Sequence, residues 1–426
     1  MNACDNRVVV TGLGVLAPNA HGLEAFTKAL KNGNSGISFH EHLAELKFGC
    51  QVGGIPDGVE ELQTKYLTEE ELFAMNANMV YAAIAAIDAW TDAGLELPED
   101  IAEADWDTGG IIGTGIGGID TIGDTLAPKT KEGRVRRLGS TMVEQIMSSG
   151  NSARIAGKLA LGNQVSTNSS ACNTGTEAIV QAYHRIKDGL AIRMLAGGSE
   201  GPSHYIWAGF DAMRVLNRTM NHEPEAASRP MSASAAGFIP GSGAGILMLE
   251  NLESALERGA HIYAEIVGAF LNCGGHRQGG SMTAPNPHSV QRCLRGALEM
   301  SGLEANQIGA INGHLTATFA DPYEVENWSK ALQLPAAEMP YIHSTKSLIG
   351  HALGAAGGLE SVASVLELEH GFVHPSLNCE DLHPDLSEYA ERIPQDCIEV
   401  EDLSVVAKAS FGFGDVNGCV IFKKNP

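Results

Sequence analysis

The sequence predicts an α/β fold, and three observations carry that expectation. Short β-branched or glycine-bounded apolar runs alternate with alanine-rich or amphipathic stretches along the whole 426-residue chain. Fifty glycines are spread among apolar runs such as "GGIIGTGIGGI" and "IPGSGAGILML", with no low-complexity tract. Hydrophobic residues make up 44% and the mean hydropathy is −0.04, the balance of a globular chain with ample core.

In chain order, "RVVVTGLGV" reads as a buried strand because β-branched residues end on glycines. "ELFAMNANMVYAAIAAIDAWTDAG" reads as one long alanine-rich helix closed by glycine. The strand "GGIIGTGIGG" follows, then the helix "ACNTGTEAIVQAYHRIKDG" closing on Gly189, then the strand "IRMLAGGSEG". A loop through "NHEPEAASRPMSASAAG" leads to the strand "AGILMLENL". The second half repeats the alternation. "HIYAEIVGAFLNC" is a strand, "PHSVQRCLRGALEMSGL" a helix, "IGAINGHLTAT" a strand entering a loop, and "GGLESVASVLELEHG" a helix, before the strands "VVAKASFGFG" and "GCVIFKK". This alternation predicts mainly parallel sheets covered by helices on both faces. Two similar passes predict an internally duplicated fold with halves at residues 1–251 and 252–426.

Composition removes several classes of function. A formal net charge of −23 argues against nucleic acid. The first residues, "MNACDNRVVVTGLG", lack a basic start before a long apolar run, so no signal peptide is expected, and no apolar stretch reaches the roughly 20 residues of a membrane span. Eight cysteines without CxxC pairs or His-rich spacing indicate neither a disulfide framework nor a zinc site, and a reduced cytoplasmic setting is expected. The GxG pieces lack the rest of a dinucleotide fingerprint, no GK[ST] loop occurs, and no GxSxG elbow is present.

Four segments place reactive or permissive residues at the ends of predicted strands: "SSACNTGTEA", "NGHLTATFADPYE", "HSTKSLIGHALGAAGGLE" and "ASFGFGDVNG". Taken singly each has a plain reading. Cys172 could fill a corner of the core, His314 could be a satisfied structural histidine, His351 could cap a glycine-rich helix, and Lys346 could be a surface charge. In their order, together with "VVVTGLGVLAPNAHG" and "GFIPGSGAGILMLE", they resemble the β-ketoacyl-acyl-carrier-protein synthases, condensing enzymes of the thiolase superfamily. The resemblance covers essentially the whole chain. It implies a thiolase-like fold of two similar halves with mixed sheets layered with helices, αβαβα, and decarboxylative Claisen condensation on a cysteine-bound acyl chain.

The chemistry needs these residue types. A thiolate attacks well and leaves well, so Cys172 would hold the acyl group, and the start of a helix at "NTGTEAI" should lower its pKa from about 8.5. By resemblance, the amides of Cys172 and Phe413 form an oxyanion hole, and His314 and His351 stabilise the enolate left when malonyl loses carbon dioxide. Lys346 and Glu360 match the charged pair that orients the histidines. Thr316 and Thr318 match the threonines that hold pantetheine, and Phe413 matches a gate freed by Gly412 and Gly414. No metal or separate cofactor is implied, because phosphopantetheine arrives on the acyl carrier protein. A homodimer is the family's usual state, with a heterodimer as the alternative.

The departures concern specificity and docking. "NGHLT" puts Leu315 beside the first histidine, "GDVN" puts Asp415 and Val416 beside the gate, and Ser242 replaces a usual glutamate. Leu315 and Asp415 are therefore where acyl preference is expected to be set. The usual basic docking segment reads "YLTEEELFAMN", with Glu69, Glu70 and Glu71, which leaves Arg134, Arg136, Arg137 and Arg214 as the expected carrier contacts. A coenzyme-A-dependent thiolase would need a cysteine in a CxG setting, which Cys419 lacks. A chain-length partner subunit would usually lack the nucleophile that Cys172 supplies.

Overall fold

Ten strands form the continuous path of the main sheet in the computed structural model, which describes residues 6–99 and 103–424, and a two-residue strand, Ala20–His21, pairs beside the first of them. The first half supplies β1 (Val8–Ala17), β2 (Thr108–Gly113), β3 (Val165–Ser166), β4 (Arg193–Glu200) and β5 (Gly243–Asn251). The second supplies β6 (Ala264–Cys273), β7 (Ala310–Asn312), β8 (Tyr341–His343), β9 (Val405–Gly412) and β10 (Val416–Lys424). In space the order is β8-β7-β9-β10-β6-β1-β5-β4-β2-β3. Each half therefore places its own strands third, second, fourth, fifth, first, so the predicted duplication is topological even where the sequences have diverged.

The sheet departs from the mainly parallel arrangement that the alternation predicts and agrees with the mixed sheets that the resemblance implies. The sheet is mixed: β2 runs parallel to β3 and β4, and β7 to β8 and β9, whereas β5 and β10 pair antiparallel to their neighbours. Alternating strands and helices conceal this, because β5 returns after a long connection from Glu200 and β10 after a hairpin turn of only three residues, Phe413 to Asp415. The halves also join. Val8–Val10 pairs antiparallel with Ala264–Ile266, so β1 and β6 fuse the two halves edge to edge.

Helices complete five layers. α1 (Ala77–Asp92) covers β1 and β5 from outside, and α3 (Pro287–Ser301), with α4 (Asp321–Leu332) beside it, covers β6 and β10. The single long helix expected before residue 92 is instead two. Glu69–Phe73 stops, and Asn76 starts α1 afresh by accepting the Met79 N–H at 2.9 Å. Between the halves lie α2 (Thr174–Lys187) and α5 (Ala356–His370), each packed on strands of both.

The two central helices touch through glycine. A Cβ on Gly175 would sit 2.6 Å from the Gly358 nitrogen, one on Gly357 2.3 Å from the Thr176 nitrogen, and one on Gly358 2.1 Å from the Gly245 carbonyl oxygen. Backbone cannot yield as a side-chain tip can, so Gly175→Ala is expected to cost about 1–3 kcal/mol by overpacking. A drop in the midpoint of chemical denaturation, with the slope unchanged, checks it.

Candidate active site

The glycine contact brings the N-terminus of α2 against the N-terminus of α5, and the site is built on that meeting. Cys172 lies in a short 3₁₀ turn, Ala171–Asn173, directly before α2. Ala171 takes φ +50°, a left-handed conformation unusual for a residue with a side chain. Thr174 holds the turn: its hydroxyl donates to the Ala171 carbonyl at 2.6 Å and accepts the Ser170 N–H at 2.8 Å. Cys172 faces a cavity of about 570 Å³, which His314, His351, Thr316, Thr318 and Phe413 also line.

Cys172, His314 and His351 bring their thiol and ring nitrogens within 4.8 Å of one another. The two imidazole rings meet edge to face with centroids 5.4 Å apart. His351 is fixed from behind. Its N–H donates to the Ile239 carbonyl at 2.7 Å, its carbonyl accepts from Gly241 at 2.8 Å, and its Nδ1 accepts the Leu353 N–H at 3.2 Å. That last bond places the ring proton on Nε2, making His351 a hydrogen-bond donor at its other nitrogen. Burial, together with the Lys346 and Lys408 ammoniums, holds both histidines well below their usual range and therefore neutral.

His314 is held by carboxylates that the sequence reading missed. Glu324 of α4 accepts the backbone N–H groups of His314 and Leu315 at 2.6 and 2.8 Å. Asp321 accepts those of Thr316 and Ala317 at 2.8 and 3.0 Å. Ala317, at φ +61°, turns between the two threonines, whose hydroxyls lie 3.1 Å apart. The signal was present in "TATFADPYE", where acidic residues open a helix, but nothing there shows which amides they meet.

Lys346 and Glu360 form an ion pair buried behind the histidines, off the cavity wall. A third member escaped the sequence reading. Lys408 of β9 is fully buried, reaches the other oxygen of Glu360 at 2.7 Å and donates to the Ser410 hydroxyl at 2.9 Å. In "VVAKASFGFG" it reads as a polar residue on a strand face. One carboxylate thus sits between two ammoniums, and the excess positive charge lies beside the imidazoles.

Three expectations are corrected. Cys172 is not shifted down: enclosure outweighs Lys346 and the Phe413 and Cys172 amides, and pushes the thiol up to about 11. Leu315 does not face the acyl space; it is buried in the core cluster with Met231 and Trp328. Asp415 is buried as well, and acts at one remove. Its carboxylate accepts the N–H groups of Asn286 at 2.7 Å and His276 at 3.0 Å, fastening the 274–286 loop, which lines the cavity, to the base of the gate. Gly412 touches the cysteine turn, where a Cβ would meet the Ser170 carbonyl at 2.8 Å, and Gly414 takes φ +93°. Phe413 between them is half-buried.

The basic residues lie on the surface. Arg134, Arg136 and Arg137 are exposed, with Arg134 paired to Glu132 at 3.0 Å. The segment leading to them packs on Tyr205, whose hydroxyl donates to Asp124 at 2.6 Å. Tyr205 belongs to the helix His204–Met213, which Arg214 ends, exposed, beside the mouth residue Met213. Glu71 is paired with Lys158 at 2.9 Å, while Glu69 and Glu70 are exposed. Ser242 is buried, donating to the Gly54 carbonyl at 3.1 Å.

A five-layer duplicated fold with a cysteine and two neutral histidines at its centre defines a thioester condensing enzyme. Residues 5–255 match the family described as beta-ketoacyl synthase, N-terminal domain, and residues 263–380 its C-terminal domain, and the chain belongs to this family. The 3-oxoacyl-[acyl-carrier-protein] synthase 2 of Vibrio cholerae is 36% identical over 427 residues, covering 98% of this chain and 99% of its own. A beta-ketoacyl synthase from Burkholderia phymatum superposes with a TM-score of 0.90 at 28% identity, over 99% of this chain and 100% of its own. A type II polyketide ketosynthase, solved with its acyl-carrier protein and bound to the hexaketide, gives 0.87 at 29% identity, over 99% and 100%. The chain is a β-ketoacyl-acyl-carrier-protein synthase, an acyltransferase of the fatty-acid or polyketide kind.

Lys408→Met is expected to move the acid limb of malonyl decarboxylation upward in pH. Losing a positive charge relieves the opposition to imidazole protonation, so both histidine pKa values rise. The shift should be roughly one pH unit, the order for one charge several ångströms away at an effective dielectric near 20. Lys408→Arg should keep the limb in place, and pH–rate profiles of the purified variants decide.

Proposed function

We propose that Cys172 carries the growing acyl chain, and that His314 and His351 drive decarboxylation of the malonyl extender. The approach of the cysteine sulfur and the two imidazoles within 4.8 Å supports this reading. In the first step the sulfur attacks the acyl thioester carbonyl and carrier thiol leaves, the Cys172 proton passing to that thiol. The negative oxygen is met by the Cys172 and Phe413 amides, both of which face the sulfur. Because burial keeps the resting thiol protonated, its proton leaves as attack proceeds.

In the second step malonyl thioester enters the emptied pantetheine channel, its arm held by Thr316 and Thr318. The C–C bond to carboxylate breaks, carbon dioxide departs, and the electron pair forms an enolate whose oxygen the two imidazole N–H groups stabilise. The enolate carbon then attacks the Cys172 thioester, and the sulfur leaves. Lys346 and Glu360 touch no reacting atom in this scheme. They and Lys408 are positioning residues that keep the imidazoles neutral and in place.

Cys172→Ala is expected to abolish condensation, and His314→Ala to lower malonyl decarboxylation about 10²–10³-fold. Carbon dioxide release from malonyl carrier protein measures the second. Intact-protein mass spectrometry after exposure to mixed acyl carrier proteins shows which chain Cys172 retains, separating a fatty-acid role from a specialised polyketide or polyene one. Retained condensation in Cys172→Ala would overturn the reading.

The carrier protein is proposed to dock on Arg134, Arg136, Arg137 and Arg214 of a two-fold dimer in the cytoplasm. No helix among the described residues is long and apolar enough to cross a membrane. Charge reversal at Arg136 and Arg137 is expected to raise KM for the carrier with little change in kcat, and more so at low salt. A heterodimer with a second ketosynthase-like subunit is the alternative, and sedimentation of the purified chain distinguishes the two.

A further inference from the structure

A second cluster of titratable side chains lies in the interior, away from the cavity, and no step of the condensation uses it. His343 ends β8, Glu367 stands near the end of α5, and His374 follows the short strand Phe372–Val373. All three are fully buried, at 0% exposure. Their donor atoms lie within 4.8 Å of one another. His343 Nε2 is 3.2 Å from Glu367 Oε1, and the two imidazole centroids are 4.2 Å apart.

The bonding pattern leaves donors turned inward without partners. Glu367 Oε1 accepts the His374 backbone N–H at 3.0 Å, but Oε2 accepts nothing. Neither ring nitrogen of His343 has a hydrogen-bond partner. His374 Nδ1 lies 2.8 Å from the Pro375 carbonyl, which can only accept, so the ring proton is on Nδ1 and Nε2 presents a lone pair. That outer bond to a backbone carbonyl is the usual way a metal-ligating histidine is oriented. The Thr345 hydroxyl, itself accepting from Asn312, donates to that lone pair on Nε2 at 2.9 Å, so the unpartnered atoms of the cluster are His343 Nδ1 and Nε2 and Glu367 Oε2. Unpartnered polar atoms are rare in protein interiors, and several of them converging on one point call for something between them.

We propose that His343, Glu367 and His374 form a structural site for a borderline divalent cation of the zinc class. A His343 nitrogen and Glu367 Oε2 are unpartnered, and His374 Nε2 joins them once the Thr345 hydroxyl turns away; imidazole and carboxylate are the donors such a cation takes. The other charges facing the cluster belong to Glu360, whose own ammonium partners are Lys346 and Lys408. With no exposed surface, the ion would be captured as the chain folds.

The test uses the untagged full chain. Elemental analysis after gel filtration is expected to give about one zinc per chain. Protein unfolded with a chelator and refolded with zinc should melt several degrees higher than protein refolded without it. Refolding with cobalt should produce visible d–d absorption, which Glu367→Gln or His374→Gln removes. The proposal is overturned if the wild-type chain, refolded in excess zinc and desalted, retains no metal and melts unchanged; a proton shared between His343 and Glu367 would then close the cluster. Metal content is independent of condensing activity, so this outcome leaves the proposed function untouched.

Discussion

Two helices can approach backbone to backbone only where neither carries a side chain, and the centre of this enzyme depends on that constraint. Gly175 of α2 meets Gly357 and Gly358 of α5, and Gly358 also rests on Gly245 of β5. This contact sets the distance between the cysteine turn, which leads into α2, and both the segment carrying Lys346 and His351, which leads into α5, and Glu360 within α5. The catalytic groups come from residues 172 to 413, yet one steric fit positions most of them. The αβαβα arrangement is in this sense a device for bringing two helix N-termini together in a dry interior.

Dryness then sets the electrostatics. A buried carboxylate without a partner would be costly, and Glu360 has two, Lys346 and Lys408. Burial is the main force keeping His314 and His351 in the neutral form, and the surplus positive charge, unscreened by water, adds to it. The same enclosure holds Cys172 as a thiol and opposes the pull of Lys346. In the proposed mechanism, reactivity arises when the thioester is bound, with its carbonyl oxygen at the amides of Cys172 and Phe413. A permanently ionised sulfur is not required.

Much of this was legible in the sequence. Strands β1, β4, β5, β9 and β10 stand out because they are largely buried on both faces and bounded by glycine or turn residues. Cys172, His314, Lys346, His351 and the Phe413 gate were found because reactive residues at strand ends recur in a known order. Lys408 stayed hidden because period-two alternation makes one polar residue in a strand look solvent-facing, while the layer above it decides otherwise. Asp321 and Glu324 looked like ordinary helix-opening acids. Leu315 was misread because a residue's neighbourhood in sequence says little about which way its side chain turns. The sheet's mixed character followed from the family resemblance and not from the alternation of elements, since strand direction is set by partners far along the chain.

The junction between β1 and its neighbours has a consequence in time. All ten residues of β1 are buried, and they pair with residues 244–251 of β5 and 264–266 of β6. During synthesis this apolar segment leaves the ribosome more than two hundred residues before either partner. At about 5–20 residues per second it waits on the order of ten seconds or longer with an unpaired, aggregation-prone edge. Closing so long a loop also makes assembly of the sheet's centre slow once the partners arrive. The strand that joins the two halves of the finished enzyme is thus the one most in need of shelter while the enzyme is being made.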